Sequence, residues 1–351
     1  MDHVLVLRFS ALGDVLMTVP VVASFARQYP DVRVTVCSRA WAKPIFDLLP
    51  KNVTFVTADL TGKHSGWKGL NQLARRLLAL QPLKVADLHD VLRTKYLRTR
   101  FRLAGNPVST IHKDRLARRR FLLAAEKTPQ ESVIEKYADV FRRLGYPALK
   151  VTFCGFFPEG KADLQTRLPH FDPRQRPEPY WVAIAPYATH AGKTYPLEQM
   201  EHVVATLSER GDTHLFLFGA GSEERATLER WSTMYPHTES MVGQLGGLAA
   251  EAAVISHCCV MVSMDSANMH LASLVGVPVV SIWGATHPFG GFLGYGQELS
   301  DAVQRGDLPC RPCSTYGQAP CRYGDYRCLR GLSPVLVTES VLRHLPSAPA
   351  Q

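Results

Sequence analysis

The most constraining feature of the sequence is residues 262–288, together with the strand that leads into them, because they hold a whole supersecondary unit. The pattern predicts an apolar strand, a polar turn, a short helix and a second apolar strand. These are residues 258–262, 265–268, 269–274 and 277–283. This succession within so few residues is typical of a parallel α/β sheet.

The polar turn, Asp265-Ser266-Ala267-Asn268, follows the carboxyl end of a predicted strand and opens a predicted helix. Free backbone N–H groups and the positive end of a helix dipole favour an anion at such a position. Ser266 and Asn268 would add uncharged donors. The alternative is an ordinary strand-to-helix turn in which Asp265 or Ser266 caps the helix.

The same α/β alternation runs through both halves of the chain. Apolar runs predict strands at residues 4–9, 32–38, 53–57, 85–88, 181–185 and 214–218. Helices are predicted at residues 15–28, 132–144 and 335–345, and another from Leu197. Little periodicity and many proline and charged residues mark a connecting stretch. We therefore predict two Rossmann-like domains at 1–160 and 180–334, a linker at 161–179, and a final helix and tail at 335–351.

Three further candidates lie where predicted strands end. Asp14 opens the helix after the first strand, as a catalytic carboxylate or simply as a cap. Lys193 precedes the helix from Leu197, where it could pair with a phosphate or be a plain surface lysine. Gly219 begins a short glycine-containing loop, which by itself is a weak signal. The run Asp87-Leu88-His89-Asp90 also ends a strand, but it is not the D-x-D metal motif of many sugar-nucleotide enzymes.

The chain carries a formal net charge of +9, which predicts an anionic partner. Much of this charge lies in residues 93–120, where apolar residues are interspersed; Arg93, Arg118 and Arg120 are the candidate acceptor-binding residues. The segment could be a solvated helix face, or a surface for anionic headgroups or a phosphorylated lipid. Nucleic acid would fit the charge too, but no nucleic-acid-binding motif accompanies it.

No apolar run approaches the roughly 18 residues of a membrane span. Residues 1–20 are interrupted by charges and predict a strand, a loop and a helix, not a signal peptide. We therefore expect a cytoplasmic protein that contacts the inner face of the inner membrane peripherally.

The eight cysteines fall into two groups. Four lie in apolar contexts and are predicted to be buried thiols: Cys37, Cys154, Cys258 and Cys259. The other four form a C-x2-C-x7-C-x6-C pattern: Cys310, Cys313, Cys321 and Cys328. Within so short a segment they could form a structural tetrahedral zinc site with no part in catalysis; free thiols or an opportunistic disulfide are the alternatives.

Four motifs, in order along the chain, resemble those of glycosyltransferase family 9, the ADP-heptose:lipopolysaccharide heptosyltransferases. They are S-x-L-G-D-V at residues 10–15, K-x-Y-P at 193–196, the glycine loop from Gly219, and D-S-x-x-M-H-L-A from Asp265. The family usually has Trp where this chain has Tyr195, and Gly where it has Ala267. The resemblance implies a GT-B architecture, two Rossmann-like domains facing across a cleft.

The resemblance also implies a reaction and its residues. Asp14 would be the general base, and the donor diphosphate would be bound without a catalytic metal. The donor-binding residues would be Lys193, Asp265, Ser266, Ala267, Asn268, His270 and Gly219. The expected reaction is an inverting transfer of heptose from an ADP-sugar to a lipopolysaccharide core or similar glycolipid, with no cofactor. Alternatives are a nicotinamide or flavin oxidoreductase, which the absence of G-x-G-x-x-G argues against, a nucleic-acid-binding protein, and a family member that binds nucleotide sugar without turnover.

Overall fold

Two separate parallel sheets organise the chain. The computed structural model describes residues 2–157 and 160–347. By its internal contacts the chain divides into two units. The first comprises Met1–Lys113, Glu131–Phe156 and Gly247–Ala249, and the second comprises Asp114–Gln130, Phe157–Gly246 and Ala250–Gln351.

Short apolar runs form the strands of both sheets, because β-branched and other apolar side chains pack well on a sheet buried on both faces. The strands are β1 (His3–Leu7), β2 (Arg33–Ser38), β3 (Val53–Thr57), β4 (Lys84–Asp87), β5 (Val108–Thr110), β6 (Tyr180–Ala185), β7 (Thr213–Leu217), β8 (Thr238–Ser240), β9 (Val260–Met264), β10 (Val279–Trp283) and β11 (Ala302–Gln304). The first sheet has the order β3-β2-β1-β4-β5, and the second β11-β10-β9-β6-β7-β8. All paired strands are parallel, so within each sheet their carboxyl ends meet at one edge.

Helices connect these strands. They are α1 (Leu12–Leu16), α2 (Val19–Gln28), α3 (Lys43–Phe46), α4 (Gly66–Leu78), α5 (Leu92–Leu103), α6 (Arg115–Leu123), α7 (Val133–Arg143), α8 (Leu164–Arg167), α9 (Leu197–Ser208), α10 (Gly221–Met234), α11 (Leu248–Ile255), α12 (Ala267–Ser273), α13 (Arg327–Arg330) and α14 (Pro334–Leu342). Single 3-10 turns occur at Ala40–Ala42, Pro173–Gln175, Pro288–Gly290 and Leu299–Asp301. Within the described ranges, no helix combines the length and apolarity that crossing a membrane would require.

The helix predicted over residues 15–28 is in fact two helices, α1 and α2, and Pro20 explains the break. Proline has no N–H and its ring collides with the carbonyl four residues earlier, so it cannot lie inside a continuous helix. In the structure Pro20 lies in the first turn of α2, where a free N–H is not needed. Asp14 consequently belongs to a separate five-residue helix, α1, that directly follows the first strand.

The observed units differ from the predicted domains at Gly247–Ala249, which groups with the first unit, at the boundary near Phe157, and over one longer stretch. Asp114–Gln130, which contains α6, groups with the second unit although it precedes most of that unit in sequence. Its contacts explain this: the Gln130 N–H donates to the Phe289 carbonyl, and the Arg118 guanidinium lies 5.4 Å from the Phe292 ring centroid. The predicted linker at 161–179 is also partly ordered, since it contains α8, and the Ala162 N–H donates to Ser256 Oγ at 3.0 Å. Of the predicted tail, residues 348–351 lie outside the described residues.

Capping distinguishes two helices of the first unit. Ser132 caps α7, where its Oγ accepts the Glu135 N–H at 3.1 Å. Ser65 occupies the same position on α4 but makes no such bond. We expect Ser132→Ala to reduce the free energy of unfolding by about 1 kcal/mol, because an orphan N–H loses its acceptor.

Urea denaturation followed by circular dichroism measures this difference. The matched control is Ser65→Ala, which should shift the midpoint little. Equal shifts for the two variants would contradict the assignment of the cap.

Candidate functional sites at the two switch points

Both sheets have a topological switch point, where neighbouring strands send their connections to opposite faces. In the first sheet it lies between β1 and β4, and in the second between β6 and β9. The loops after these strands therefore border a crevice, which is where open α/β sheets bind ligands. Asp14 follows β1, whereas Lys193 follows β6 and Asp265 follows β9.

In the first unit, Asp14 is held by a buried arginine. Arg8 Nη2 lies 2.6 Å from Asp14 Oδ2, and the same carboxylate oxygen accepts the Ala11 N–H at 3.2 Å. Arg8 also donates from Nη1 to the Leu88 carbonyl at 2.7 Å, which ties the pair to the end of β4. The side chain of Asp14 remains 24% exposed, so the carboxylate has a fixed direction and is still accessible to a ligand.

His89 follows β4 and faces the same switch point. Its Nε2 lies 3.4 Å from Ser10 Oγ, and its ring meets Phe9 edge to face. Burial, together with the positive charges of Arg8, Lys113 and Arg93, lowers the pKa of His89 to about 3. The imidazole is therefore neutral at physiological pH and can exchange hydrogen bonds without adding charge.

The acids beside His89 are structural. Asp87 is completely buried, and its Oδ1 accepts the N–H groups of both His89 and Asp90 at 3.0 Å. Arg98 lies 3.4 Å from Asp87 and 3.0 Å from Asp90. These acids fix the loop after β4, which leaves Asp14 as the carboxylate directed to the switch point.

In the second unit, an ion pair joins the two sides of the switch point. Lys193 Nζ lies 2.8 Å from Asp265 Oδ2, with side-chain exposures of 15% and 5%. The ammonium of a lysine sits at the end of a flexible side chain, so a buried carboxylate beside it fixes where the charge lies. The structure thus brings together the two residues that the sequence proposed separately. Asp265 orients Lys193 and lies too deep to act as a reactive group.

The rest of the turn forms the start of α12. Ser266 does not cap this helix, because its Oγ lies 3.1 Å from Ser263 Oγ. Ala267 is the first helical residue and has no positive φ, so the exchange of the family's usual glycine for alanine causes no backbone strain here. Asn268 is half-buried, whereas His270 is 5% exposed. Since α12 has only seven residues, its dipole adds little, and an anion would depend on the ammonium donors of Lys193 and on the uncharged donors of the turn.

Three glycines pack closely at Lys193 or at the residue before it. A Cβ on Gly317 would lie 2.5 Å from Lys193 Cγ, and Gly317 also has φ +77°. A Cβ on Gly192 would lie 2.8 Å from the Gly317 carbonyl oxygen, and one on Gly284 would lie 2.6 Å from the Gly192 oxygen. Gly317 therefore packs against the lysine stem, and Gly284 packs against the backbone just before the lysine. Sequence alone does not reveal this, because the three positions are far apart along the chain.

Close packing explains why a glycine stands at position 219 and how Tyr195 is held. A Cβ on Gly219 would meet Leu228 at 2.8 Å and Glu224 at 2.9 Å, and Glu224 Oε2 accepts the Ala220 N–H at 2.7 Å. Gly219 follows β7, which neighbours β6, so its loop lies at the same sheet edge as Lys193. Tyr195, which stands for the family's tryptophan, is fully buried and donates its hydroxyl to the Leu332 carbonyl at 2.7 Å.

The three predicted acceptor-binding arginines are divided between the two units. Arg93 is exposed on α5 in the first unit, within electrostatic range of His89. Arg118 and Arg120 lie on α6 in the second unit. Arg118 donates to the Tyr316 hydroxyl and packs over the Phe292 ring, whereas Arg120 is exposed.

The cysteine prediction is correct for some residues and wrong for others. Cys37 and Cys258 are buried as expected, but Cys154 is exposed and Cys259 only half-buried. All four cysteines of the C-terminal pattern line one cavity of about 410 Å³ in the second unit. In the described part of the chain, no three histidine, cysteine or acidic side chains already converge closely enough to hold a metal ion.

The fold and these sites define a protein of two Rossmann-like domains, each with a charged site at its switch point. The model of glycosyltransferase family 9 (heptosyltransferase) matches residues 109–320. The chain belongs to this family.

Curated and solved proteins agree with that assignment. Lipopolysaccharide heptosyltransferase 1 of Pseudomonas aeruginosa is 26% identical over 335 residues, which cover 89% of this chain and 86% of that protein. The structure of Escherichia coli heptosyltransferase WaaC with ADP has a TM-score of 0.68 at 19% identity, covering 97% of this chain and 99% of the other. The same enzyme with ADP-2-deoxy-2-fluoro heptose has a TM-score of 0.65 at 18% identity, covering 90% and 97%. The predicted family, GT-B class and glycosyltransferase activity are confirmed.

The environment of His89 predicts an acid-sensitive fold. Unfolded histidine has a pKa near 6.5, and the folded value is lowered to about 3. Between these values the unfolded chain binds a proton that the folded chain does not, so stability falls as pH falls. We expect the loss of stability between pH 7 and pH 5 to be up to about 2 kcal/mol smaller in His89→Gln.

Urea unfolding at the two pH values measures this contribution. His202 is exposed, and His202→Gln is the control that should keep the wild-type pH dependence. An unchanged dependence in His89→Gln would show that folding does not lower the pKa of His89.

Proposed function

We propose that this chain transfers a heptose from ADP-heptose to a hydroxyl of a lipopolysaccharide core or similar anionic glycolipid, with inversion. The observation that carries the proposal is the Lys193–Asp265 ion pair, 2.8 Å long, at the switch point of the second unit. The similarity to heptosyltransferase 1 of P. aeruginosa and to WaaC with ADP and an ADP-heptose analogue supports the choice of donor.

In this proposal the second unit binds the donor diphosphate. Lys193 supplies the positive charge, and a phosphate oxygen would share its ammonium with Asp265, since an ammonium has three donors. Ser266 and Asn268, half-buried at the start of α12, supply uncharged donors. These groups would also stabilise the charge that develops on the leaving diphosphate, so no catalytic metal is invoked.

The first unit supplies the base. As the acceptor oxygen forms a bond to the anomeric carbon, the bond from that carbon to the diphosphate oxygen breaks and ADP leaves. The acceptor hydroxyl proton passes to the Asp14 carboxylate. Arg8 keeps this carboxylate in one direction. Attack on the face opposite the leaving group inverts the anomeric centre.

The acceptor is proposed to meet the basic surface of α6. Arg115 and Arg120 are exposed on this helix, and so are the apolar side chains of Leu116 and Leu123, at 72% and 76%. A basic helix with exposed leucines fits the boundary between anionic headgroups and acyl chains. Arg93, on the other unit, remains a proposed acceptor contact. We accordingly propose a cytoplasmic enzyme that associates peripherally with the inner membrane.

Two residues should separate catalysis from donor binding. Asp14→Asn should lower kcat about a hundred- to ten-thousand-fold, the usual contribution of a general base, while leaving the ADP Kd nearly unchanged. Lys193→Met should weaken ADP binding about 10- to 100-fold, as expected for a lost charge-assisted hydrogen bond. Isothermal titration calorimetry gives the Kd, and mass spectrometry of the glycolipid product gives the turnover.

Exposed residues of the same types serve as matched controls. Asp31→Asn in the first unit and Lys161→Met in the second should behave like the wild type. Normal turnover in Asp14→Asn would remove Asp14 as the base. Tight ADP binding by the wild-type protein without any turnover would favour a non-catalytic family member. Tight oligonucleotide binding without a response to ADP would favour a nucleic-acid-binding protein.

The basic surface of α6 predicts binding to anionic vesicles. Arg115→Gln/Arg120→Gln should lower the affinity for vesicles containing phosphatidylglycerol about 30-fold, because each cation near such a surface contributes about 1 kcal/mol. Vesicle co-sedimentation measures the affinity, which should fall further with added salt. Lys161→Gln/Arg330→Gln removes two exposed charges elsewhere in the second unit and is the control. Equal effects of both pairs would indicate attraction by net charge alone.

A further inference from the structure

The first unit exposes three large apolar side chains on two helices that pack against each other, α4 and α5. Trp67 on α4 is 60% exposed, and Leu92 and Leu103 on α5 are 69% and 79% exposed. Single exposed apolar residues are common on soluble proteins, whereas a contiguous group marks a surface that contacts a partner. The positions of the three residues on their helices decide between these two cases.

Leu92 and Leu103 lie on one side of α5. They are eleven residues apart in sequence, which is about three turns of an α-helix, so both point the same way about 16 Å apart. The opposite side of the helix is buried through Thr94, Leu97 and Phe101. The two leucines therefore stand at the two ends of the outer face of α5.

An aromatic pair lies on the same face, between the leucines. Tyr96 follows Leu92 by one turn, which places it on the same side of α5. Its ring centroid lies 5.2 Å from that of Trp67, edge to face, and its hydroxyl donates to Asn71 Oδ1 at 3.4 Å. These contacts hold the indole of α4 beside the outer face of α5. Trp67, Leu92, Tyr96 and Leu103 thus form one surface, which we call the α5 surface.

Cations border the α5 surface. Lys95 and Arg102 are exposed on α5, and Lys68 is exposed next to Trp67. The two helices together carry three Lys and Arg residues on α4 and five on α5, and neither contains Asp or Glu. An apolar face bordered by cations is complementary to a layer of anionic headgroups that covers hydrocarbon.

We propose that the α5 surface binds an anionic phospholipid bilayer. The leucines and the indole enter the boundary between headgroups and acyl chains, a position that tryptophan favours. Lysine and arginine side chains reach the lipid phosphates. The contact belongs to the first unit and is additional to the one proposed for α6, which belongs to the second. The choice of a bilayer rests on the proposed function, in which the acceptor is a glycolipid.

A nucleic acid explains the α5 surface less well. It would pair with the cations, and one base could stack on Trp67. It would leave Leu92 and Leu103 in water, because a phosphate backbone offers no apolar partner for them. A bilayer accounts for the leucines, the indole and the cations together.

Quenching by brominated lipid tests the position of Trp67. The chain has five tryptophans; Trp67 is exposed, Trp41 is half-buried, and Trp181, Trp231 and Trp283 are buried. Phosphatidylglycerol vesicles with brominated acyl chains should quench wild-type fluorescence. Trp67→Phe should bind the vesicles but lose the quenching, and the control Trp41→Phe should keep it. No vesicle binding, or equal quenching in the wild type and Trp67→Phe, would overturn the proposal.

Co-sedimentation with unbrominated phosphatidylglycerol vesicles tests the leucines. Leu92→Gln/Leu103→Gln should lower the affinity at least about tenfold, because two apolar side chains no longer leave water on binding. Val335→Gln/Leu336→Gln, which alters two exposed apolar residues of α14 in the second unit, is the matched control and should resemble the wild type. Equal losses in the two double variants would refute the α5 surface as the contact.

Turnover separates this inference from the proposed function. Leu92→Gln/Leu103→Gln should equal the wild type with a water-soluble, deacylated acceptor and be slower with an acceptor in vesicles. Equal slowing on both acceptors would refute the bilayer contact. A wild type that vesicles quench through Trp67 but that turns over neither acceptor would refute the proposed function and leave the α5 surface standing.

An oligonucleotide tests the alternative partner. Lys95→Gln/Arg102→Gln should lower the affinity for phosphatidylglycerol vesicles about 30-fold. Tight oligonucleotide binding that this double variant loses, without lipid quenching of Trp67 in the wild type, would assign the surface to nucleic acid and overturn the proposal.

Discussion

The interaction on which both sites depend is a partly buried ion pair at the carboxyl edge of a parallel sheet. In the first unit Arg8 holds Asp14, and in the second Asp265 holds Lys193. The roles of the two charges are exchanged between the pairs. In the first pair the cation Arg8 orients the proposed base Asp14, and in the second the acid Asp265 orients the proposed phosphate-binding cation Lys193. Burying such charges has a desolvation cost that a good pair only offsets, so positional order is a better reason for them than stability.

In the proposed reaction, the first unit contributes the base and the second unit contributes the cation that binds the donor. A diphosphate approaching Lys193 meets an ammonium that is already neutralised by Asp265, so its binding depends on sharing donors and on the uncharged groups of the turn. Directional hydrogen bonds would therefore orient the phosphate, and non-directional electrostatic attraction would contribute less to its binding. Long-range attraction for an anionic acceptor can come instead from the net charge of +9 and the exposed arginines of α6.

The sequence predicted the inner strands, because apolar runs ended by glycine, proline or charge identify buried parallel strands, and it located Asp14, Lys193 and Asp265 after them. It missed the three-residue edge strands β5, β8 and β11, which are too short to show a pattern. It also contained the signal for the break at Pro20, which the prediction of one helix over residues 15–28 overlooked. The side-chain partners of the site residues could not be predicted from the sequence. Arg8 meets Asp14 and the end of β4 only because β1 lies beside β4, and Gly317 meets Lys193 across 124 positions of sequence. The strand order and the contacts between residues far apart in the chain produce no periodic pattern in the sequence.

The segment between β11 and α13 shows why such long-range contacts matter. It has no ladder of backbone hydrogen bonds to hold it, yet it forms part of the wall around Lys193. Arg311 compensates in part by binding carbonyls from the loop after β10 and from Arg305. A buried guanidinium whose hydrogen bonds all go to neutral acceptors is itself costly, and the carboxylate of Asp307 lies within electrostatic range to offset part of that cost. Because Gly317 of this segment lies against the Lys193 stem, the order of the segment and the position of the lysine are one physical problem.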